Sequence, residues 1–477
     1  MSHGSGTVEQ ELSVHHGDGS SSREALRIAA VAALGGFLFG YDSAVINGAV
    51  AAVATEFGAG SASLGFAVAS ALLGAAAGAI GAGRMADLIG RLAVMKVAAL
   101  AFLVSALGTG FAGSLEMLVV FRIVGGVGVG MASVIAPAYI AEIAPAAIRG
   151  RLASLQQLAI VTGIFVSLAV DFAFAHAAGG SREEFWLGLD AWQWMFLAMA
   201  VPAVVYGALA FTIPESPRWL ISRHKVGAAA VILRKLLDTK DVDVTIDRIR
   251  ATMERESAPS WRDLRNPDGR VAGIVWVGLL VSVFQQFVGI NVIFYYSNVL
   301  WEAVGFDESQ AFTITVIGAT INIITTFIAI ATVDRFGRRP LLLIGSVGMA
   351  VTLGTMAVVF GTAKVVDGAP VLEGVQGPIA LVAANLFVIA FGMSWGPITW
   401  VLLGEMFPNR MRAAALSLAA GGQWVANWVI TVSFPGLKDV SLALAYGLYA
   451  TFAVLSFLFV KRYVDETKGK QLEDMHA

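Results

Sequence analysis

A signature written twice sets the architecture of this chain. In the first half, Asp87-Leu-Ile-Gly90-Arg91 precedes Glu142-Ile-Ala-Pro145-Ala-Ala-Ile-Arg149. In the second half, Asp334-Arg-Phe-Gly337-Arg338 precedes Glu405-Met-Phe-Pro408-Asn-Arg-Met-Arg412. The patterns D-x-x-G-R and then E-x-x-P-x-x-x-R recur in the same order. Each copy follows an apolar run long enough to cross a bilayer. Self-similarity of this kind means that one structural unit has been laid down twice.

The apolar runs fall near 28–53, 63–83, 92–112, 117–141, 153–176 and 190–212, then near 271–301, 309–332, 340–361, 378–406, 412–432 and 441–461. An α-helix needs about 20 residues to cross the hydrocarbon. The pattern therefore predicts twelve spanning helices, spans 1 to 12, in two sets of six: an all-α polytopic membrane protein with two pseudo-symmetric six-helix bundles. The runs are continuous rather than alternating, which argues against a β-barrel. Only 14% of the 477 residues are charged and 57% are hydrophobic. A soluble globular protein is about a quarter charged, so this surface is built for lipid. The 52 glycines suit close packing of membrane helices. The Gly-rich stretch 125–130 lies inside span 4, so it reads as such packing and not as a nucleotide loop.

Five segments follow: a disordered tail at 1–22, an N-terminal bundle at 23–213, a charged linker with short amphipathic helices at 214–270, a C-terminal bundle at 271–462, and a C-terminal tail at 463–477. The tail lacks the basic-then-apolar layout of a signal peptide. Loops after spans 2, 4, 8 and 10 carry Arg84, Arg91, Lys96, Arg149, Arg151, Arg335, Arg338, Arg339, Arg410 and Arg412, against Arg182, Lys364 and Lys438 on the other side. This bias places the first set, the linker and both termini in the cytoplasm. With no cysteine, disulfides and thiol chemistry are excluded. The sequence shows no metal cluster, nucleophile–base pair or phosphate loop, so neither a cofactor nor an enzyme activity is expected, nor are nucleic acid or an obligate protein partner.

One acid and one base lie deep within predicted spans: Asp42 in span 1 and Arg122 in span 4. Ionisable residues at that depth are costly and mark function by default. A permanent structural salt bridge is the plainer alternative. As a functional pair, Arg122 would hold Asp42 ionised when close, and separation would favour protonation. Asp171, near the outer end of span 5, reads as a solvated boundary residue.

Polar side chains also interrupt the apolar helices: Gln157 in span 5, Gln285, Gln286, Asn291 and Tyr295 in span 7, Asn322 in span 8, Trp400 in span 10, and Gln423, Trp424 and Asn427 in span 11. Singly, each amide reads as interhelical glue. Together they suit a neutral polyol, because a hydroxyl both donates and accepts, as an amide does, and C–H faces stack on indole. Pro397, beside Trp395-Gly-Pro, should break the backbone ladder of span 10.

Across roughly 27–470 the chain resembles the sugar porter family of the major facilitator superfamily. The resemblance rests on Gly40-Tyr-Asp42, Tyr139-Ile-Ala-Glu142, Pro214-Glu-Ser-Pro-Arg218-Trp-Leu, Gln285-Gln-Phe-Val-Gly-Ile-Asn291, Asp334-Arg-Phe-Gly-Arg-Arg339 and Gln423-Trp424. It implies alternating access and sugar contacts at Gln157, Gln285, Gln286, Asn291, Asn322, Trp400, Gln423 and Asn427. It implies a cytoplasmic gate of Arg91, Glu142, Arg149, Arg218, Arg338, Glu405 and Arg412, to which the signature acids Asp87 and Asp334 are added. Asp42 with Arg122 resembles the proton-coupling pair of the family's symporters. Leu88 and Leu92 stand where the pattern has basic residues, Asp465 stands where the C-terminal motif has Pro, and Ile164 stands where some xylose symporters have Gln. The expectation is a proton-coupled monosaccharide importer of the cytoplasmic (cell inner) membrane, whose partners are a neutral sugar, a proton and the bilayer. A passive facilitator, a polyol or inositol symporter and a sugar sensor are the alternatives.

Overall fold

A computed structural model describes residues 19–144, 149–237, 242–255, 261–266, 268–366, 369–408 and 411–467. Most of the 1–22 tail lies outside them, as does the end of the 463–477 tail.

The first half comprises α1 (Gly19–Ala44) and α2 (Ile46–Glu56), which form span 1, then α3 (Ser61–Ile89), α4 (Arg91–Gly110), α5 (Leu115–Ile143) and α6 (Arg149–Ala178), with α7 (Ala191–Ala198) and α8 (Ala200–Leu209) forming span 6. The linker holds α9 (Pro217–Ser222), α10 (Val226–Leu237), α11 (Val242–Arg255) and a 3₁₀ turn at Trp261–Leu264. The second half comprises α12 (Gly273–Phe287) and α13 (Ile290–Ala303) as span 7, then α14 (Glu308–Phe336), α15 (Arg338–Gly361), α16 (Gln376–Gly392) with α17 (Trp395–Met406) as span 10, α18 (Arg412–Val440) and α19 (Leu442–Tyr463).

Among the described residues, eleven of these spans are long and apolar enough to cross a membrane. The twelfth, α18, is a 29-residue helix, but Gln423, Asn427, Gly421 and Gly422 dilute its hydropathy. Its polarity is the signature of a helix that faces a site and not lipid. Two short hairpins, β1 (Glu184–Trp186) with β2 (Leu189–Asp190) and β3 (Lys364–Val366) with β4 (Ala369–Val371), close loops and cross nothing.

The glycine-rich stretch in α5 serves helix contact: a Cβ on Gly126 or Gly130 would run into the backbone carbonyls of Ala71 or Ala75 in α3. Only hydrogen fits there. In the linker, Leu220, Ile221, Ala229, Leu233, Val242 and Ile246 pack into their own small core, separate from the bundles.

Spans 1, 7 and 10 are broken in mid-course. Span 1 breaks at Val45, span 7 at Val288-Gly289 with Gly289 at φ 83°, and span 10 at Met393-Ser394. Pro397 accounts for the span 10 break, as the sequence predicts: it has no N–H for the Met393 carbonyl one turn earlier, where the ladder opens, and it sits in the first turn of the helix that resumes as α17. Discontinuous helices of this kind free backbone groups at membrane depth only where other groups satisfy them.

The two halves meet on the face opposite the signatures, here termed the far face. Asn47 of α2 donates through Nδ2 to the Phe294 carbonyl (3.1 Å) and accepts from the Asn298 amide (3.1 Å), both in α13. The Ser181 amide donates to Glu308 (2.9 Å), and Ser61 donates to Asp439. The far face is therefore sealed.

Candidate functional site

On the signature face each half builds the same device. Arg91 grips Glu142 with Nε (3.2 Å) and Nη2 (3.0 Å), and its Nη1 reaches Asp87 (3.2 Å). Arg338 grips Glu405 with Nε (2.9 Å) and Nη2 (2.6 Å). These are bidentate charge-assisted pairs. A second carboxylate completes each device. Glu215 accepts the amides of Arg91 (3.0 Å) and Leu92 (3.2 Å), and Glu466 accepts those of Arg338 (2.9 Å) and Arg339 (3.0 Å). Both glutamates cap the amino end of the helix that follows D-x-x-G-R, where the helix dipole favours an anion. The signature glycines make room for them: Gly90 has φ 98° and Gly337 has φ 89°, and a Cβ at Gly337 would stand 2.7 Å from the Glu466 Oε2.

Glu215 and Glu466 were not among the gate residues expected from sequence. The available signal was that a Glu-Ser or Glu-Thr pair follows the last span of each half. Thr467 adds a hydrogen bond to Glu405 (2.6 Å). Arg412 donates to the Phe407 carbonyl (3.2 and 3.1 Å), and Arg218 is half-buried in α9. The side chains of Arg149 and Asp334 lie outside the described residues. Each Arg–Glu pair joins elements of one half.

The centre of the molecule holds a chain of amides. Asn291 donates to Gln286, and Gln286 donates to the Gln285 side-chain oxygen (3.3 Å), which also accepts from Gln423. Gln285 in turn donates to the carbonyls of Trp395 (2.9 Å) and Gly396 (3.2 Å), at the start of α17 just after the span 10 break. Spans 7, 10 and 11 are thus tied together by side chains, and the Gln423 side-chain oxygen is buried without a hydrogen-bond partner among the described residues. Gln157 is half-buried, Trp400 is exposed, and Trp424 meets Phe39 of the other half at 6.1 Å between ring centroids. Asn322 is buried beside Gly392, and Asn427 accepts from Thr431 (3.1 Å). Trp395, by contrast, is wholly buried, with its indole bonded to the Leu342 carbonyl (3.1 Å) and Ser346 (2.9 Å), so it anchors the fold.

Next to this network lies the charged pair. Asp42 and Arg122 are 1% and 2% exposed. Arg122 Nη1 is 3.8 Å from Asp42 Oδ2, while the same nitrogen donates to the Asp42 backbone carbonyl at 2.9 Å and Nη2 donates to the Val68 carbonyl at 3.4 Å. The guanidinium is spent mainly on carbonyls, and among the described residues neither carboxyl oxygen of Asp42 has a hydrogen-bond partner. A narrow cavity beside them is lined by Ser43, Val68, Val129 and Tyr295, so the C-terminal half contributes a phenol to the pair's surroundings. Tyr295 also lies beside Asn427.

Asp171 corrects the sequence expectation. It is not a solvated boundary residue but is 0% exposed, enclosed between α6 and α2. Its position along α6 is near the far face, yet α2 packs against its carboxyl at Gly48 and removes the water that a span end would ordinarily have.

Twelve helical spans in two repeats, with polar residues and broken spans at mid-depth, define a membrane transporter of the major facilitator class and not an enzyme. Residues 28–477 match the family described as "Sugar (and other) transporter". The chain is 56% identical to the glucose transport protein of Synechocystis sp., over 94% of this chain and 96% of that one. It is 38% identical to the D-xylose-proton symporter of Escherichia coli, over 94% of each. A solved structure, the inward-open conformation of the xylose transporter of E. coli, superposes with TM-score 0.80 at 36% identity, covering 94% of this chain and 99% of that one. The chain belongs to the sugar porter family of the major facilitator superfamily.

Proposed function

We propose that this sugar transporter is a proton-coupled monosaccharide importer of the cytoplasmic membrane. The signature face and both termini lie in the cytoplasm, and the halves alternate access around the amide network. The observation that carries proton coupling is the setting of Asp42. A buried carboxylate whose one cation among the described residues is 3.8 Å away and largely committed to carbonyls is poised to take a proton, because an unpaired buried charge is costly. A passive facilitator needs no titratable group there.

Gln285, Gln286, Asn291 and Gln423 offer alternating donors and acceptors to sugar hydroxyls, with Gln157, Asn322, Tyr295, Asn427, Trp400 and Trp424 completing the lining. The bidentate Arg–Glu pairs, capped by Glu215 and Glu466, are the rigid ends of a cytoplasmic latch. With the far face sealed they hold within their own halves, and they are free to meet across the halves when that face opens. The relatives named for glucose and xylose support a cargo among hexoses and pentoses. One proton moving down about 150 mV gains about 3.5 kcal/mol, enough for about 300-fold accumulation of a neutral sugar.

The test is uptake of a labelled panel of glucose, xylose and inositol into proteoliposomes, with and without an imposed pH gradient. Coupling predicts uphill accumulation only with the gradient, and alkalinisation of the weakly buffered outer medium on adding sugar. Equal uptake in both conditions would make the protein a facilitator.

A further inference from the structure

Two ionisable side chains reach the break in span 1 from other spans. On one side, Arg122 of α5 donates to the Asp42 carbonyl near the end of α1. On the other, Asp171 of α6 lies against the first turn of α2. A Cβ at Gly48 would stand 2.7 Å from the Asp171 Cβ and 2.9 Å from its Oδ2. The leading amides of a helix have no partner within it, and the dipole there favours negative charge. The broken span therefore has a cation at its carbonyl end and a carboxyl group at its amide end.

The two groups differ in what surrounds them. Arg122 has Asp42, whereas Asp171 forms no ion pair among the described residues. Both of its carboxyl oxygens are buried, and although the Gly48 amide faces the carboxyl, neither oxygen completes a hydrogen bond of ordinary geometry among the described residues. The titratable group near it is the Tyr41 phenol of α1. α2 presents Asn47 and Gly48 in this turn, α7 carries no ionisable residue, Arg122 of α5 is turned to Asp42, and Glu308 of α14 lies beyond the end of α6, against Gly180 and Ser181. A carboxylate sealed in this way is far costlier than a neutral acid.

We propose that Asp171 is a second proton-binding residue, separate from Asp42: neutral while the far face is sealed, and ionised when the halves part there and water reaches it, its carboxylate then capping α2. The proton is released to far-face water on opening and recovered from it on resealing, so the charge balance closes on one side of the membrane. The residue before Gly48 is Asn47, whose two bonds to α13 form part of the seal. Protonation of Asp171 and closure at Asn47 thus act on the same turn of α2. Alkaline medium at the far face favours the open arrangement and acid favours the sealed one. A difference of one pKa unit between the arrangements biases them about tenfold. The proposal rests on the alternating-access reading but not on Asp42 being the coupling group.

The chain has no cysteine, so a pair can be placed at will. Ser61 and Asp439 touch across the far face, and Ser61→Cys with Asp439→Cys, joined by a short bifunctional thiol reagent, hold it shut. In an Asp42→Asn background, infrared spectra of the crosslinked protein at neutral pH should show a protonated-carboxyl C=O band that Asp171→Asn removes and Asp171→Glu shifts. Without the crosslink, the band should fade reversibly at mildly alkaline pH. Crosslinked spectra that are identical with and without Asp171, or a band indifferent to the crosslink, would overturn the proposal. Failure of proton coupling at Asp42 is read separately, by sugar accumulation, and leaves these spectra unaltered.

Discussion

Glu215 and Glu466 occupy equivalent places in the two halves: each takes the first two amides of the helix that D-x-x-G-R begins, and each presses on the signature glycine before it. The repeat is thus not confined to the loop signature. It includes an acid from beyond the sixth span of each half, so the device closes only once all six helices are in place.

Replacing Gly90 by Ala should damage this device twice over. Its φ of 98° is unfavourable for any side chain, and the added Cβ would displace the Glu215 carboxylate. The expected loss of stability is about 1–3 kcal/mol, seen as a lower unfolding temperature of the purified protein. Glu215→Gln keeps the shape and removes the charge, and should cost less, about 1 kcal/mol. Equal unfolding temperatures for wild type and Gly90→Ala would mean that the turn relaxes freely.

The Asp42→Asn variant is expected to exchange sugar across the proteoliposome membrane yet fail to accumulate it against a gradient. Its exchange should also lose dependence on the pH of the sugar-supplying side, which in the wild type falls as that side is made alkaline and Asp42 can no longer be protonated. Full accumulation by the variant would remove Asp42 from coupling.

At the amide network, Gln286→Ala should weaken sugar binding about tenfold, the effect of losing one or two hydrogen bonds, as read by titration calorimetry. Gln285→Ala should do more, because Gln285 also holds the Trp395 and Gly396 carbonyls and accepts from Gln423. Binding unchanged in both would place the sugar elsewhere.

Much of this was legible in the sequence, because bilayer thickness and backbone satisfaction leave few choices. Apolar runs of span length dictate helices, and Asp42 and Arg122 stand out because charge is scarce at that depth. The amides around Gln285 were visible for the same reason. What the sequence hid depends on which element lies opposite which. Asp171 sits at a span end by counting, and its burial comes from α2, which packs on its carboxyl at Gly48. Glu215 and Glu466 look like linker and tail charges until folding brings them to the start of α4 and α15. Pro397 was legible as the cause of the span 10 break, since the carbonyl it cannot serve is that of Met393, but that Gln285 would reach the Trp395 and Gly396 carbonyls beside it was not.

Asn47 offers the last test, because it joins the halves with both ends of one amide. Its donor meets the Phe294 carbonyl and its acceptor the Asn298 amide, and it is 1% exposed, so water does not compete. Asn47→Ala removes both bonds; the Phe294 carbonyl and Asn298 amide, an i, i+4 pair of α13, can then serve each other, so the sealed arrangement loses the net worth of the two inter-half bonds, about 1–2 kcal/mol. Nothing in the open arrangement offsets that loss, since opening would hydrate the same groups. The equilibrium should therefore move toward the open far face by about tenfold or more. Spin labels on introduced cysteines at the far ends of α3 and α18 would report it as a longer distance between them. An unchanged distance distribution in Asn47→Ala would mean that the remaining contacts, Ser181 with Glu308 and Ser61 with Asp439, suffice to hold the seal.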